Sequence, residues 1–192
     1  MYRIYTTDAF VLECEPAAEA SRRITLFTEE LGLLRAHAQG VRLLPSKLRA
    51  GLQTLHQSSV SLVRGREVWR VTSAVAHSTK SLPSEARGTW ARVLAFVERL
   101  VRGEEQDGEL YRILAGTSSL LQEENFSEKE LRLCEAVTIV RMLDHLGYVG
   151  QRESKFITLV RTVPNKSTLA ALNGQEHLLQ NIIAESLAAT QL

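Results

Sequence analysis

Hydrophobic and polar residues alternate with a period of two through the first third of the chain, which is typical of half-buried β-strands. The alternation predicts five strands, at residues 9–13, 22–30, 33–40, 58–65 and 67–73. Between the third and fourth strands, Pro45 and Ser46 can start a short helix that Gly51 ends. This is the element order of an OB-fold, a small and partly open barrel that binds oligonucleotides.

The remainder of the chain has a helical period. Apolar residues from Trp90 to Val101 recur at spacings of three and four, which predicts an amphipathic helix ending near Gly103. Asp107 can cap a second helix, which carries Leu110, Tyr111, Leu114 and Leu121.

Two more helices have start signals of their own. Ser127 with Glu130 forms a capping box before a third helix, residues 128–146, which is apolar nearly all round and so belongs in the middle of a bundle. Asn173 with Glu176 opens a final helix, whereas residues 147–167 have no periodic pattern. The predicted fold class is therefore α+β: a five-stranded OB-fold β-barrel at residues 1–76, followed by an all-α helical domain at residues 80–192.

Composition is that of an ordinary globular protein, with 44% hydrophobic residues and a net charge of +1 over 192 residues. We find neither an apolar run long enough to span a membrane nor a secretory leader, so we expect a cytoplasmic protein. Cys14 and Cys134 lie far apart, without a CxxC or a nearby His at metal-ligand spacing. We therefore expect no metal or other cofactor, and two thiols packed as small apolar groups.

Sequence motifs of common enzymes are missing from the chain. It contains no GxSxG, no HExxH and no GxxxxGK[ST]. The five histidines are scattered over both halves, and Asp144 beside His145 is a poor acid–base pair because adjacent helical residues point in different directions. We predict that the protein is not an enzyme.

Charge is more informative than motifs. No Asp or Glu occurs between Glu30 and Glu67, and this stretch contains six basic residues: Arg35, Arg42, Lys47, Arg49, Arg64 and Arg66. On an OB-fold they would lie along one flank, where Lys and Arg can neutralise nucleic-acid phosphates irrespective of sequence. Composition alone supports two interpretations of these bases equally well, a nucleic-acid site and an ordinary charged surface exposed to water. Phe10, Phe27 and Trp69 lie in apolar patterns and are expected in the core rather than as stacking platforms.

Short motifs follow one another through the first half of the chain: Ala9 to Leu12, Leu26 to Thr28, Gly32 to Leu34, Ala38 to Gly40, Ser46 to Leu48, Leu52, and Arg64 to Gly65. Their order resembles the N-terminal domain of the RecO family of bacterial DNA-repair proteins. Further along, "LRLCEAVTIVRMLDHLGYVGQ" is similar to a family helix and "NIIAESLAATQL" to its closing helix. The resemblance is specific because of the order of these motifs and the length of chain they cover, and no one motif is specific by itself.

The resemblance implies a recombination mediator. Proteins of this family combine an OB-fold with a helical domain, bind single- and double-stranded DNA and anneal complementary strands. They act with RecR, and with RecF, to load RecA on DNA coated by single-strand-binding protein, which implies association with the nucleoid during repair. In the family the helical domain binds the acidic, apolar tail of single-strand-binding protein, and we take Arg132 and Arg141 as candidates for that contact.

One departure from the family pattern concerns zinc. Many RecO proteins have a four-cysteine zinc module after the "LGY" segment, whereas residues 151–167 contain no cysteine here, so we expect a short form without zinc. The sequence thus predicts a non-catalytic DNA-binding mediator whose six bases contact phosphates. The alternative is an OB-fold adaptor that binds other proteins and not DNA.

Overall fold

The change from strands to helices is present in the structure. This computed structural model describes residues 3–18, 21–41, 46–78, 81–123, 125–150, 158, 160–162 and 164–190. The strands are β1 (Ile4–Ala18), β2 (Ser21–Thr28), β3 (Gly32–Ala38), β4 (Gln57–Arg64) and β5 (Trp69–Ala76). Among the described residues they form a closed barrel in the order β1-β2-β3-β5-β4, with the short helix α1 (Leu48–Gly51) between β3 and β4. The predicted OB-fold is confirmed.

Barrel closure depends on the length of β1 and on one parallel pair. The first half of β1 pairs with β4 and its second half with β2, both antiparallel. On the other side, Ala36 and His37 of β3 pair in parallel with Trp69 and Arg70 of β5. The hydrophobic pattern of the sequence does not show that these two strands are neighbours.

Alternation along the strands fills the barrel interior. Ile24, Leu26, Val60 and Leu62 are fully buried there, as are Ala9, Val11 and Ala36, and Trp69 and Val71 are nearly so. At one barrel end α1 lies against β4 and β5: the Ser58 hydroxyl donates to the Gly51 carbonyl at 2.6 Å. Phe10, Phe27 and Trp69 are at most 4% exposed, which confirms that they are buried rather than free to stack on bases.

The helices within the described residues are α2 (Ser84–Leu100), α3 (Gly108–Glu123), α4 (Glu128–His145), α5 (Lys166–Ala171) and α6 (Glu176–Thr190). Both halves of the predicted Ser127–Glu130 capping box are formed. α4 is buried on most sides and packs against α2, α5 and α6, as its nearly all-round apolar sequence predicts. α5 was not predicted; it starts at a capping box of Asn165 with Thr168.

The chain forms two compact units, and one short segment belongs to a different unit from the residues on either side of it in the sequence. Residues 1–80 group with Val101–Gly108, whereas residues 81–100 group with 109–192. We call Val101–Gly108 the return loop, because after α2 the chain comes back to the barrel unit. Nothing in the hydrophobic pattern predicts this return, and the boundary inferred near residues 76–80 stays a prediction.

Within the described ranges, no helix is long and apolar enough to cross a bilayer. In the same part of the chain, no three His, Cys, Asp or Glu side chains are grouped so that they could hold a metal ion.

Candidate nucleic-acid interface

The predicted basic residues are distributed over three parts of the barrel unit. Arg35 lies on the outer face of β3 and is exposed, between the buried Leu34 and Ala36. Arg64 ends β4 and Arg66 lies in the hairpin that joins β4 to β5. Lys47 and Arg49 are exposed at α1. Arg42 lies outside the described residues.

Arg64 and Arg66 both lie where β4 turns into β5, whereas Lys47 and Arg49 lie at α1. α1 packs beside Ser58 and Ala74, at the start of β4 and the end of β5. The hairpin occupies the other end of the same two strands. Six residues of β4 separate the two ends, which at strand spacing is about 20 Å. The six bases therefore do not form one compact cluster.

Strand register places two more arginines and a histidine on one outer face of the barrel. Arg70 on β5 lies opposite His37 on β3, and His37 lies opposite Arg23 on β2. All three are on the outer face, because their sequence neighbours Trp69, Ala36 and Ile24 are in the core. Neighbouring members of such a row are separated by about 5 Å. We call Arg70, His37 and Arg23 the basic row.

On the other side of Arg70, across β4 and β1, the residues in the same register are apolar. Arg70 lies opposite Val63 on β4, and Val63 opposite Ile4 on β1. A groove of about 820 Å³ opens over this part of the barrel. We call it the outer groove; its lining comprises Ile4, His37, Gln39, Val63, Gly65, Arg66, Glu67, Val68, Arg70, Val71 and Thr72. Ile4 is 63% exposed, so the groove offers apolar contact area next to cations.

Carboxylates compensate part of this positive charge. Glu15 lies 3.5 Å from the Arg23 guanidinium. In the return loop, Glu104 lies 3.4 Å from Arg64 and accepts a hydrogen bond of 2.9 Å from the indole Nε1 of Trp69. Within the described residues Arg66 and Arg70 form no ion pair, so these two leave the outer groove basic despite Glu67 in its wall.

His37 and Arg70 line the outer groove but do not stand out in the sequence. Arg70 follows Glu67 and so falls outside the acid-free stretch, and His37 is one of five histidines scattered along the chain. Alternation could have placed each on an outer face. Only the parallel pairing of β3 with β5 shows that they are neighbours.

Neither cysteine forms part of a reactive cluster in the described part of the chain. Burial raises the pKa of the Cys134 thiol to about 11, which makes it a poor nucleophile at neutral pH. Cys14 is half-buried, and its sulfur accepts a hydrogen bond of 3.1 Å from Arg22. His77 contacts Asp8 at 2.8 Å, but this pair links the end of β5 to β1 at the surface.

The part of the chain that forms the barrel matches a known protein family. Residues 1–80 match the family described as "Recombination protein O N terminal". A relative named DNA repair protein RecO from Roseiflexus sp. is 31% identical over 152 residues, which cover 78% of this chain and 52% of the relative. The chain belongs to the RecO family.

Two further relatives are also named DNA repair protein RecO. The protein of Heliobacterium modesticaldum is 44% identical over 72 residues, covering 38% of this chain and 26% of the relative. That of Dehalococcoides mccartyi strain BAV1 is 30% identical over 149 residues, covering 75% and 56% respectively. The chain thus spans about half the length or less of these RecO proteins.

In this member of the RecO family, the two arginines of α4 that are candidates for contact with the tail of single-strand-binding protein have different surroundings. Arg132 is exposed and pairs with Glu128 at 2.8 Å. Arg141 is only 8% exposed, and burial lowers its pKa, while the nearby Glu109 carboxylate acts in the other direction. Nine residues of helix correspond to about two and a half turns. The two side chains therefore leave opposite faces of α4 and cannot contact one short peptide together.

Arg132 borders a shallow groove between α4 and α6. Two adjoining cavities of about 290 and 360 Å³ share Arg132, Ala136 and Gln180. Ile139 and Ile183 add apolar surface, and Lys129 adds a second cation. We call this the α4–α6 groove. Glu176 and Glu135 at its border pair with Lys129 and Arg92, so its charge is balanced rather than strongly positive.

Proposed function

We propose that this protein is a non-catalytic, DNA-binding mediator of recombinational repair. It binds single- and double-stranded DNA through phosphates, promotes annealing, and loads RecA with RecR and RecF on DNA coated by single-strand-binding protein. The names of the RecO relatives support a role in DNA repair. The more specific activities are our proposal for this chain.

The observation that carries the proposal is the outer groove beside the basic row. Arg66 and Arg70 can neutralise phosphates, and an attraction of this kind is independent of base identity. Ile4 and Val63 offer apolar surface to sugars and base faces, which a single strand exposes and a duplex hides. The groove lies between the β3 face and the β4–β5 hairpin, a region that OB-folds use for oligonucleotides.

Annealing follows physically from phosphate binding. Two strands repel each other until cations screen their backbones, and a protein that holds phosphates leaves the base edges free to pair. No nucleotide hydrolysis is needed for this step. We accordingly expect no turnover of DNA or nucleotide.

The first prediction concerns the outer groove. In Arg66→Gln/Arg70→Gln, two phosphate contacts are removed, so affinity for a labelled oligothymidylate should fall roughly tenfold near 0.1 M salt. The slope of log affinity against log salt should become shallower by about 1.4, from ~0.7 per contact on a single strand. Fluorescence anisotropy over a salt series measures both quantities.

A matched control removes two exposed arginines elsewhere. Arg99→Gln/Arg112→Gln makes the same change in net charge in the helical unit, and both side chains are exposed. We expect a slope close to that of the wild type. Equal effects of the two double variants would show that the outer groove is not the DNA site.

The ion pairs of Arg23 and Arg64 with glutamates favour the second candidate, an adaptor that binds proteins and not DNA. The same titration separates the candidates. An adaptor would show no binding even at low salt, whereas a mediator shows binding that weakens steeply as salt rises.

For the partner on the helical unit, we propose that the α4–α6 groove takes the acidic, apolar tail of single-strand-binding protein. Arg132 would pair with a tail carboxylate, and Ile139 and Ile183 would contact its apolar residues. The burial of Arg141 leaves it without a place in this contact.

A further inference from the structure

The Glu104 carboxylate makes two contacts at the end of the barrel, one with each oxygen. Its Oε1 accepts the hydrogen bond from Trp69 Nε1 at 2.9 Å, and its Oε2 lies 3.4 Å from Arg64 Nη1. The Arg64 guanidinium also lies over the Trp69 ring, with its central carbon 5.3 Å from the ring centroid. Arg64 and Trp69 together therefore form a two-donor cradle around an anion.

The contact between Glu104 and Arg64 is accessible to solvent. The two side chains are 41% and 65% exposed, respectively. Exposed ion pairs of this kind contribute little stability, because water solvates both charges well. A competing anion from solution can therefore replace the carboxylate at small cost.

The backbone of the return loop is fixed independently of this side chain. Leu33 N donates to the Gly103 carbonyl at 3.2 Å. The Glu105 backbone lies so close to Gly32 that a Cβ on Gly32 would overlap its carbonyl oxygen. The Glu104 side chain can thus leave Arg64 while the loop stays in place, and it remains nearby to return.

We propose that Arg64 and the Trp69 indole form a site for a backbone phosphate of DNA, and that the Glu104 carboxylate occupies this site in the free protein. The inference rests on the proposed DNA binding and adds to it a built-in competitor. A phosphodiester has oxygens that can accept from both donors, as the carboxylate does. DNA binding then exchanges an internal anion for an external one.

The test compares two variants of the full chain with the same change in charge. Glu104→Gln removes the competing charge but keeps an amide oxygen that can accept from Trp69. Glu105→Gln is the matched control, because Glu105 is the adjacent exposed residue and the carboxylate that pairs with Arg64 and Trp69 is that of Glu104. Each variant is titrated with labelled oligothymidylate over a salt series.

We expect Glu104→Gln to bind the oligonucleotide about two- to fivefold more tightly than Glu105→Gln, the range expected for release of one exposed pair. The salt slopes of the two variants should be alike, because Arg64 contacts a phosphate in both complexes and the Glu104 carboxylate competes only in the free protein. In an Arg64→Gln background the gain from Glu104→Gln should disappear. A gain that persists without Arg64, or equal binding by the two single variants, would overturn the inference while leaving DNA binding intact.

A second measurement follows the indole itself. The chain has two tryptophans, so an amide correlation NMR spectrum should contain two indole resonances. Saturating oligothymidylate should shift the Trp69 resonance of the wild type, and Glu104→Gln assigns that resonance. A Trp69 resonance unchanged at saturation would exclude the exchange. Failure of the wild type and every variant to bind would instead defeat the proposed function, and this inference with it.

Discussion

Gly32 is the residue on which the position of the return loop most directly depends. Its φ of +68° lies in the left-handed region that favours glycine. It also leaves room for the Glu105 backbone, which would overlap any side chain added at this point. A single missing Cβ therefore allows the loop to approach β3 and Glu104 to reach the hairpin.

The residue-scale prediction separates these two roles of glycine. Gly32→Ala should lower the free energy of unfolding by about 3 kcal/mol, because left-handed strain and backbone overlap add together. Gly103→Ala is the control: its φ is +79°, but nothing lies within 4 Å of an added Cβ. There we expect only about 1 kcal/mol. Urea denaturation followed by circular dichroism measures both, and equal losses would contradict the role given to close approach.

The site could be predicted in part at this scale. Arg35, Arg64 and Arg66 stood out because acids are missing from their stretch, and the structure places all three near the β3–β5 side of the barrel. His37 and Arg70 could not be found in this way, since a residue's sequence position does not show which strand lies beside it. Glu104 could not either, because it comes from beyond α2.

At the scale of elements, α4 shows why local signals predicted most helices. Ser127 Oγ and its backbone N–H both donate to the Glu130 carboxylate, at 2.6 and 2.8 Å. These hydrogen bonds, the hydroxyl's first, lower the pKa of Glu130, with Lys166 adding a weaker attraction. Such a box is legible in the sequence because it is made by residues three apart.

The element-scale prediction uses this lowered pKa. Because the charged form is favoured in the folded state, Glu130 stabilises the protein above its ordinary pKa and loses this contribution as pH falls through the lowered value. The wild type should therefore be more stable than Glu130→Gln at pH 7 and no more stable at strongly acidic pH. Urea denaturation at several pH values measures the difference.

Ser127→Ala provides the internal comparison for this prediction. Without the hydroxyl, the main cause of the lowered pKa is gone, so the pH-dependent advantage of Glu130 over Gln should shrink. An advantage that is independent of pH, or unaffected by Ser127→Ala, would assign the stabilisation to something other than the capping box.

Elements were missed where the local signal was weak. α5 has six residues and only one buried leucine, Leu169, so it shows no periodicity, and its capping box uses Thr168 in place of Glu or Gln. β1 is longer than predicted and continues through Pro16, beside an irregularity in its pairing with β2. Proline is tolerated in a strand at such irregular positions, but sequence alone makes it read as a strand end.

At the scale of the whole molecule, the proposals divide the two activities between the two units. The outer groove belongs to the barrel unit and the α4–α6 groove to the helical unit. Arg132→Gln should therefore weaken binding of an acidic, apolar tail peptide of single-strand-binding protein by several-fold, as expected for loss of one charge-assisted contact. Its affinity for oligothymidylate should stay within twofold of the wild type.

Arg112→Gln is the control for the peptide measurement. It removes an exposed arginine of the same unit that pairs with Glu109 on α3, away from the groove. Isothermal titration calorimetry with the peptide distinguishes the two variants. Peptide affinity unaffected by Arg132→Gln would place the tail elsewhere on the protein.

The return loop also bears on how the barrel could be separated from the rest of the chain. Because residues 101–108 belong to the barrel unit, the polypeptide passes between the units three times rather than once. A protease that cuts once near residue 80 would leave the barrel bound to the other fragment through the return loop. A barrel produced as residues 1–80 alone would lack Glu104, the residue that contacts both Trp69 and Arg64. By the proposed competition, such a barrel would bind polyanions more tightly than the intact protein does.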